Sequence, residues 1–560
     1  MGKFSQANRP LKITTPLGPD ELLLAAFRGR EAVSELFRFE LELLADRDAR
    51  VPFERLLGQP VRVELHTPGA PPRYVHGIIS RLTQGKRDDT FTFFRAELVP
   101  ALWLWTRKVQ SRIFQQKTVP AILAEVFQGL QVAFQLSGDY PARDYCVQYR
   151  ESDFAFACRL MEDEGIHYVF EHTEDGHTLI VTDHTLSLAD VPAPKPVVYD
   201  PVAGGQRTDQ RVLTWEKTQE VRAAKQTLWD SSFELPGKHL EAVEQLPEEV
   251  RVGTVSHPLR TIDAELEVYD YPGGYAKQFD GVAPGGGDRP ADVARIFPAA
   301  KRAAKLRAAA EAAAAVRAGG ESNCVQFAPG RRFTLERHFD ADGAYLLTAV
   351  EHEARVTGDY RADAQDDALD YRNRFTAAPE GLPFRPPRVT PRPIIAGTQT
   401  ATVVGPPGSQ IFLDKYGRVK VQFPWDRQGQ ANADSSCWIR VAQIWAGKTW
   451  GAFFWPRVGH EVVVAFEEGD PDQPIIVGSV YNAANMPPLT LPDEAMRCGI
   501  KSCTFAGDPA LAFNAVIFHD VPGTEYLQVH SETFQMENTE SARYQHTPAG
   551  RFTFLGSFPG

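Results

Sequence analysis

Residues 416–426, "YGRVKVQFPWD", alternate with a period of two: Val419, Val421 and Phe423 fall on one side of an extended chain, Lys420 and Gln422 on the other. A glycine turn opens the run and a proline closes it, as at the ends of a short half-buried strand. The same texture recurs in "LFRFELELLA", "PVRVELHT", "EVVVAFEE" and "YLQVHS". With 43 glycines and 42 prolines falling between such runs, the chain reads as many short strands joined by many turns. The fold class is mainly β with a few helices.

At 560 residues the chain has room for about three or four domains, and 43% apolar with 24% charged residues is the balance of a folded protein. A net charge of −12 argues against a general positive field that would wrap nucleic acid or lie on an anionic membrane. The six cysteines (146, 158, 324, 437, 498, 503) have neither zinc-type spacing nor the density of a disulfide framework, so folding in a reducing cytoplasm is expected. The first residues show no charged-then-apolar pattern, and the early apolar run at 22–27 is too short for a signal core or a membrane span. Export, if it occurs, is expected without an ordinary signal peptide.

Two helices interrupt the strands of residues 11–199. One starts after Thr118 with Pro120 in its first turn and aligns Ile122, Leu123, Val126 and Phe127; the other is capped by Ser152 and stopped by Gly165. A third, alanine-rich, is expected over 299–318, closed by Gly319 and Gly320. Prolines at 379, 383, 386, 387, 391 and 393 mark a stiff, extended boundary. A β module comes next, with strands expected in "RVKVQFPW", "CWIRVAQI", "WGAFFWPR", "EVVVAFEE" and "QPIIVGSVYN", the number that suits an OB-type barrel. Beyond residue 498, "AVIFHD", a "VPGTE" turn and "YLQVHS" give strands too brief to bury a core within one chain, so partner chains are expected.

Five stretches carry a family resemblance: "CVQYRESDFAFACRLMEDEGIHYVFEH" (146–172), "APGRRFTLERH" (328–338), "YGRVKVQFPWD", "WPRVGHEVVVAFEEGDPDQPIIVGSVYNAANMPP" (455–488) and "GIKS" (499–502). In this order and spacing they resemble the VgrG family, the spike of bacterial type VI secretion, itself similar to the hub and spike proteins of contractile phage tails. The resemblance implies a homotrimer. Residues 1–376 would form a hub of two barrel-like subdomains with packed helices, 377–393 a proline-rich linker, 394–488 an OB-fold neck, and 489–560 a short intertwined β-prism needle and tip. It implies a structural neck motif of Gly417, Arg418, Phe423, Pro424, Trp425, Pro456, Arg457, Gly459, Asp470 and Pro471, with "YGRVKVQFPWD" as the first barrel strand and Leu527 and Val529 facing the needle axis. The implied partners are a tube ring protein (Hcp-like), a conical tip protein (PAAR-like), baseplate proteins and effector cargo, with assembly in the cytoplasm followed by ejection to the extracellular space or a target cell. No cofactor, metal or specific nucleic acid is implied. At about eight residues per strand and turn, residues 498–560 allow roughly eight layers, ~38 Å of prism. Either more needle or a cap on open strand ends near 552–560 is therefore expected.

Two other function classes compete. A cell-wall hydrolase, as in phage-tail relatives, would need a catalytic domain, and only residues 488–497 separate neck from needle. "HEVVVAF" begins like a zinc-protease motif, but Val464 stands where the second histidine belongs. The acidic turn Glu467, Glu468, Asp470, Asp472 lacks the glycine-centred loop and terminal glutamate of a calcium site and reads as solvated. Histidines 167, 172, 177 and 184 fall in a hairpin whose alternate faces should scatter them, and Cys498 and Cys503 read as free buried thiols. The third class, single-strand nucleic-acid binding, draws on Trp425, Trp438, Trp445, Trp450 and Trp455 and on the basic residues 415, 418, 420, 427, 440, 448 and 457. Glu461, Glu467, Glu468, Asp470 and Asp472 cancel that charge.

Overall fold

The computed structural model describes residues 4–184, 189–201, 209–259, 266–358, 360 and 368–541. The hub is dominated by a sheet whose main path runs Leu11–Thr14, Pro60–Leu65, Arg73–Arg87, Phe91–Val99, Arg38–Asp46, Leu23–Ala32, Gly343–Val356, Leu369–Pro379, Val316–Ser322 and Glu216–Gln219. Every neighbouring pair along this path is antiparallel. It curls around two apolar cores. Leu11, Phe39, Val63, Val75 and Leu98 fill the first, and Val250, Phe327, Phe333, Tyr345 and Phe375 the second. The two longest strands of the second half join them: Val350 and Phe375 belong to the second core, Val356 and Tyr371 to the first. These core residues lie on one face of each strand, so it is the length of the strands that lets a single apolar face serve both cores.

Both helices of the first half form as their caps dictate. The Thr118 hydroxyl accepts from Ala121 N at the start of Val119–Val126, and the Ser152 hydroxyl from Ala155 N at the start of Asp153–Glu164. Gly165 ends the second helix at φ 68°. With the sheet His167–His172, His177–Thr182 and Val132–Gln135 they enclose a separate core of Ile122, Leu123, Phe156 and Leu160. The alanine-rich helix spans Ile296–Ala315 and passes directly into the strand Val316–Ser322. Gly319 and Gly320 are therefore strand residues, not a helix cap. A Cβ on Gly320 would lie 2.0 Å from the Thr214 carbonyl oxygen, so close backbone approach explains this glycine.

The strand Leu369–Pro379 runs three residues into the stretch read as linker. The rest of that stretch is extended but fastened to the hub: Val389 N and Thr390 N donate to Glu162, and Arg388 and Arg392 pair with Asp163. The neck is a five-stranded sheet in the order Lys420–Gln422, Gln399–Val404, Glu461–Phe466, Pro474–Val480, Arg440–Val441. Reciprocal Val419–Ile439 backbone bonds of 3.1 and 2.8 Å close it into a barrel. Two expectations are corrected by this barrel. Its first strand is Gln399–Val404, with the 416–426 run second, and "WGAFFWPR" supplies one arm of an outlying hairpin, Trp445–Gly447 with Trp450–Ala452. Beyond the neck, Arg497–Lys501, Ala515–His519 and Tyr526–His530 form a three-stranded antiparallel sheet. Residues 552–560, where a cap is expected to dock, lie outside the described residues.

The hub-neck joint as candidate functional site

The 416–426 run is built into the joint between hub and neck. Val419, Val421 and Phe423 enter the barrel core with Ala401, Val403, Val462, Val464 and Ile476. The other face is not solvated as a half-buried strand would have it. Lys420 is buried, its Nζ donating to the Ala433 carbonyl at 2.7 Å beside the Trp438 ring. Burial lowers its pKa.

Arg418 is the centre of the joint. Its side chain is 3% exposed; Nε donates to Asp414 Oδ2 at 2.6 Å, and Nη1 and Nη2 reach the two oxygens of hub residue Asp280, each at 2.8 Å. A planar guanidinium meets two carboxylates with its whole fork, the geometry for which arginine is suited and lysine is not. Gly417, at φ +71°, leaves no room for a side chain, since a Cβ there would lie 2.5 Å from the Trp455 ring. Around Arg418 other contacts also cross from hub to neck. Trp438 Nε1 donates to the Ala283 carbonyl at 2.9 Å, Val147 N to Asp472 Oδ1 at 2.6 Å, and Gln115 Nε2 to the Asp434 carbonyl at 2.6 Å. Lys277 of the hub and Arg440 of the neck both hold Glu467. Trp425 stacks on Phe423 at 5.2 Å and meets hub residue Tyr149 edge-on at 5.5 Å. A cavity of about 300 Å³ remains between Asp280, Lys277, Phe233, Arg418 and Trp438.

The acidic turn read as solvated is thus part of the fastening. Asp470 accepts from Asp472 N at 2.9 Å and shapes the turn, Pro471 is buried behind it, and Asp472 faces the hub. Burial, and Asp470 after it, push the Asp472 carboxyl up from its ordinary range.

A joint of this construction, with an OB-type barrel clamped to a two-core hub, has counterparts among known proteins. Residues 30–358 match the family described as phage tail baseplate hub (GPD), and residues 413–481 match the type VI secretion system/phage-baseplate injector OB domain. The chain is 38% identical over 546 residues to the type VI secretion system spike protein VgrG1c of Pseudomonas aeruginosa, an alignment covering 96% of this chain and 71% of that protein. It belongs to the VgrG family of type VI secretion spike proteins. Identity to VgrG1a of the same organism is 37%, over 97% of this chain and 80% of the relative. Among solved structures, the Escherichia coli type VI secretion component c3393, described as similar to the T4 bacteriophage tail proteins gp27 and gp5, shares the fold. It superposes with TM-score 0.54 at 22% identity, over 84% of this chain and all of that one.

In this VgrG chain the remaining motif residues run from the neck towards the needle. Pro424 is exposed and ends the strand, whereas Pro456 is buried in the turn after the aromatic hairpin. Arg457 Nη2 donates to the Cys503 carbonyl at 2.8 Å, and Ala506 N to Gln410 Oε1 at 2.9 Å, so the neck holds the first needle segment directly. Gly459 adopts φ +89° with open space around it, and its carbonyl accepts from Asn485 Nδ2 at 3.0 Å. Valine at 459 is expected to destabilise the barrel by about 1 to 3 kcal/mol through backbone strain alone. Asparagine, which tolerates this conformation, is expected to cost much less. Denaturant midpoints of the two variants check this, and an unchanged midpoint for Gly459→Val would refute the turn.

Leu527 and Val529 lie on one face of the needle sheet, in register with Phe518 and Cys498 and with Val516 and Ile500 respectively. Leu527 is 60% and Val529 51% exposed. Cys498 is exposed too, and all six cysteines are free, which corrects the expectation of a buried thiol there. Asp280, Asp414 and Lys277 are joint residues that the sequence pattern does not single out, and Trp438 and Asp472 stand out in it only as part of an aromatic platform and of a solvated turn. Only Asp414, four positions before Arg418, leaves a local signal; Asp280 is 138 positions away.

Among the described residues no group of three His, Cys, Asp or Glu is arranged to hold a metal ion, and Val464 of the protease-like motif is buried in the barrel core. The basic residues that suggest a nucleic-acid groove are largely committed: Lys415 to Asp288, Arg418 to Asp280 and Asp414, Lys420 to Ala433, and Arg440 to Glu467.

Proposed function

We propose that this chain works as one third of a non-catalytic homotrimeric spike, in which the hub-neck joint carries thrust from hub to needle. The observation behind this reading is a set of apolar surfaces that one chain leaves open. On the neck, Ile444 is 88% and Phe453 68% exposed, beside Trp445, Trp450 and Phe454. On the needle, Ile500, Phe518, Leu527 and Val529 face outward together. Large apolar side chains exposed in groups mark an interaction surface, and three-fold association would cover neck and needle at once. In the domain division that goes with this reading, residues 1–376 form the hub, 377–393 the linker, 394–488 the neck and 489–560 the needle and tip.

The spike would sit on a tube of Hcp-like rings within a baseplate, take a conical PAAR-like tip and carry effector cargo. It would assemble in the bacterial cytoplasm and be ejected without a signal peptide. The mass in solution tests the reading: three chains are expected, and a clean monomer at micromolar concentration would overturn it. Loss of turbidity from a cell-wall suspension would point instead to a hydrolase, and retention of single-stranded DNA at moderate salt to a nucleic-acid module.

A further inference from the structure

Three histidines that strand alternation alone would separate meet in a seam between the first hub core and the hairpin His167–His172/His177–Thr182. His172 and His177 are direct cross-strand partners, and His76 arrives from the strand Arg73–Arg87. Each ring accepts a hydrogen bond. The His76 backbone N–H donates to His172 Nδ1 at 3.1 Å, and the Ala101 N–H to His177 Nε2 at 3.1 Å. His177 must then carry its proton on Nδ1, which lies 3.3 Å from His76 Nδ1, so His76 is the acceptor of that pair. An added proton on His76 or His172 sets one N–H against another across the seam, and one on His177 breaks its bond to Ala101, at the start of the turn packed on the helical core.

The surrounding charges balance only while the rings are neutral. Arg73 pairs with Glu31, and His352 Nε2 bonds the same carboxylate at 3.0 Å. His352 Nδ1 contacts the Tyr371 hydroxyl at 2.7 Å, a bond in which a neutral ring accepts. His172 Nε2 is 4.0 Å from Glu31 Oε2. Arg62, which pairs with Glu64 and donates to the Glu174 carbonyl, adds positive charge beside His76. On the far face of the hairpin, Glu171 is taken by Arg331. Phe37 packs against both His172 and His177, an apolar contact that disfavours charge on either ring.

We propose that this seam is an acid-sensitive latch: the hairpin and the helical core behind it dock on the hub while His76, His172 and His177 are neutral, and acidification releases them. Burial, followed by Arg62, depresses the His76 ring; burial, followed by His76, holds His177 to about 4; and burial outweighs Glu31 to hold His172 to about 3. Released rings regain an ordinary value of about 6.5, so the docked form binds fewer protons, and docking is lost as pH falls from about 6.5 towards 3–4. A ring held to about 3 or 4 in the docked form contributes up to about tenfold per pH unit within that window, so His172 and His177 together favour release on the order of 10³-fold between pH 7.5 and 5, and His76 acts in the same direction. Contacts that do not titrate in this window also hold the docked form: the apolar cluster of Val33, Val169, Ile180 and Leu346, the Phe37–Phe170 pair, the Ser34 N–H to Tyr168 carbonyl bond at 2.8 Å, and the Arg388 and Arg392 pairs with Asp163 on the helical core.

The test is amide hydrogen exchange on the full chain from pH 7.5 to 5, corrected for intrinsic rates, with the strand Arg38–Asp46 as internal reference. Hairpin protection should fall steeply against that reference. His177→Gln and His76→Gln keep a donor and an acceptor but cannot be charged; the first should weaken the response by about 30-fold over this range, and the second should weaken it in the same direction. A hairpin that tracks the reference strand, or variants that retain the full response, would overturn the latch. Should the variants fail to fold, imidazole titration in the unmodified protein decides: rings that take up protons only in step with the loss of hairpin protection support it, and a ring titrating near 6.5 while the hairpin stays protected overturns it.

Discussion

Arg418→Ala is expected to uncouple the neck from the hub at a cost of about 3 to 5 kcal/mol, the range for removing one member of a buried charge cluster. The guanidinium is the counter-charge shared by Asp414, whose side chain is fully buried, and Asp280, which is 17% exposed. Removing it strands two carboxylates close together, and the loss of stability arises more from that than from the missing bonds. A lysine should rescue only in part, because an ammonium cannot address both carboxylates with a planar fork. A denaturant titration checks this: the neck transition should separate from that of the hub, with the lysine variant between alanine and the parent. A single unshifted transition would mean that Arg418 does not hold the joint.

This joint is only half legible from sequence because of where its partners lie. The strand around Arg418 declares itself through period-two alternation, and the caps at Thr118, Ser152 and Gly165 declare two helices, because those signals are local. Asp280 comes from another part of the chain, and no spacing rule connects it to Arg418. The histidine seam escapes for a related reason. Alternation does separate His167 from His172, but hairpin register places His172 opposite His177, and a non-local strand brings His76. Gly319 and Gly320 suit a helix stop equally well, since glycine after an alanine run fits that role; the carbonyl of Thr214, which excludes a Cβ, is visible only once the strands pair. Gln399–Val404 hides behind the proline-rich segment, while "WGAFFWPR" draws a barrel assignment from its aromatic residues, a preference that a pleated surface shares with an exposed interface.

Val529→Asp is expected to dissociate the proposed trimer while leaving the neck barrel folded. The valine pairs with Val516, which in turn faces Ile500, and Leu527 pairs with Phe518 two positions away, so one face of a three-stranded sheet is apolar from edge to edge. Such a sheet is too small to be stable unless that face is covered. Three copies facing a common axis cover it with identical surfaces, so each substitution acts three times. Full burial of a valine-sized side chain is worth roughly 1.5 to 3 kcal/mol, so the symmetric loss is about 5 to 9 kcal/mol before charge repulsion is counted. Three carboxylates brought together at the axis would add to the loss, and acid should relieve that part of it. The buried residues of the barrel core lie within 401–476, with Ile113 of the hub packed on them, and none belongs to the needle face, so its melting transition should survive. Light scattering and thermal melting of the same sample separate the two effects. A variant that keeps trimer mass and an unchanged melt would place Val529 on the outside of the needle, and one that loses the barrel transition as well would show that neck and needle fold as a single unit.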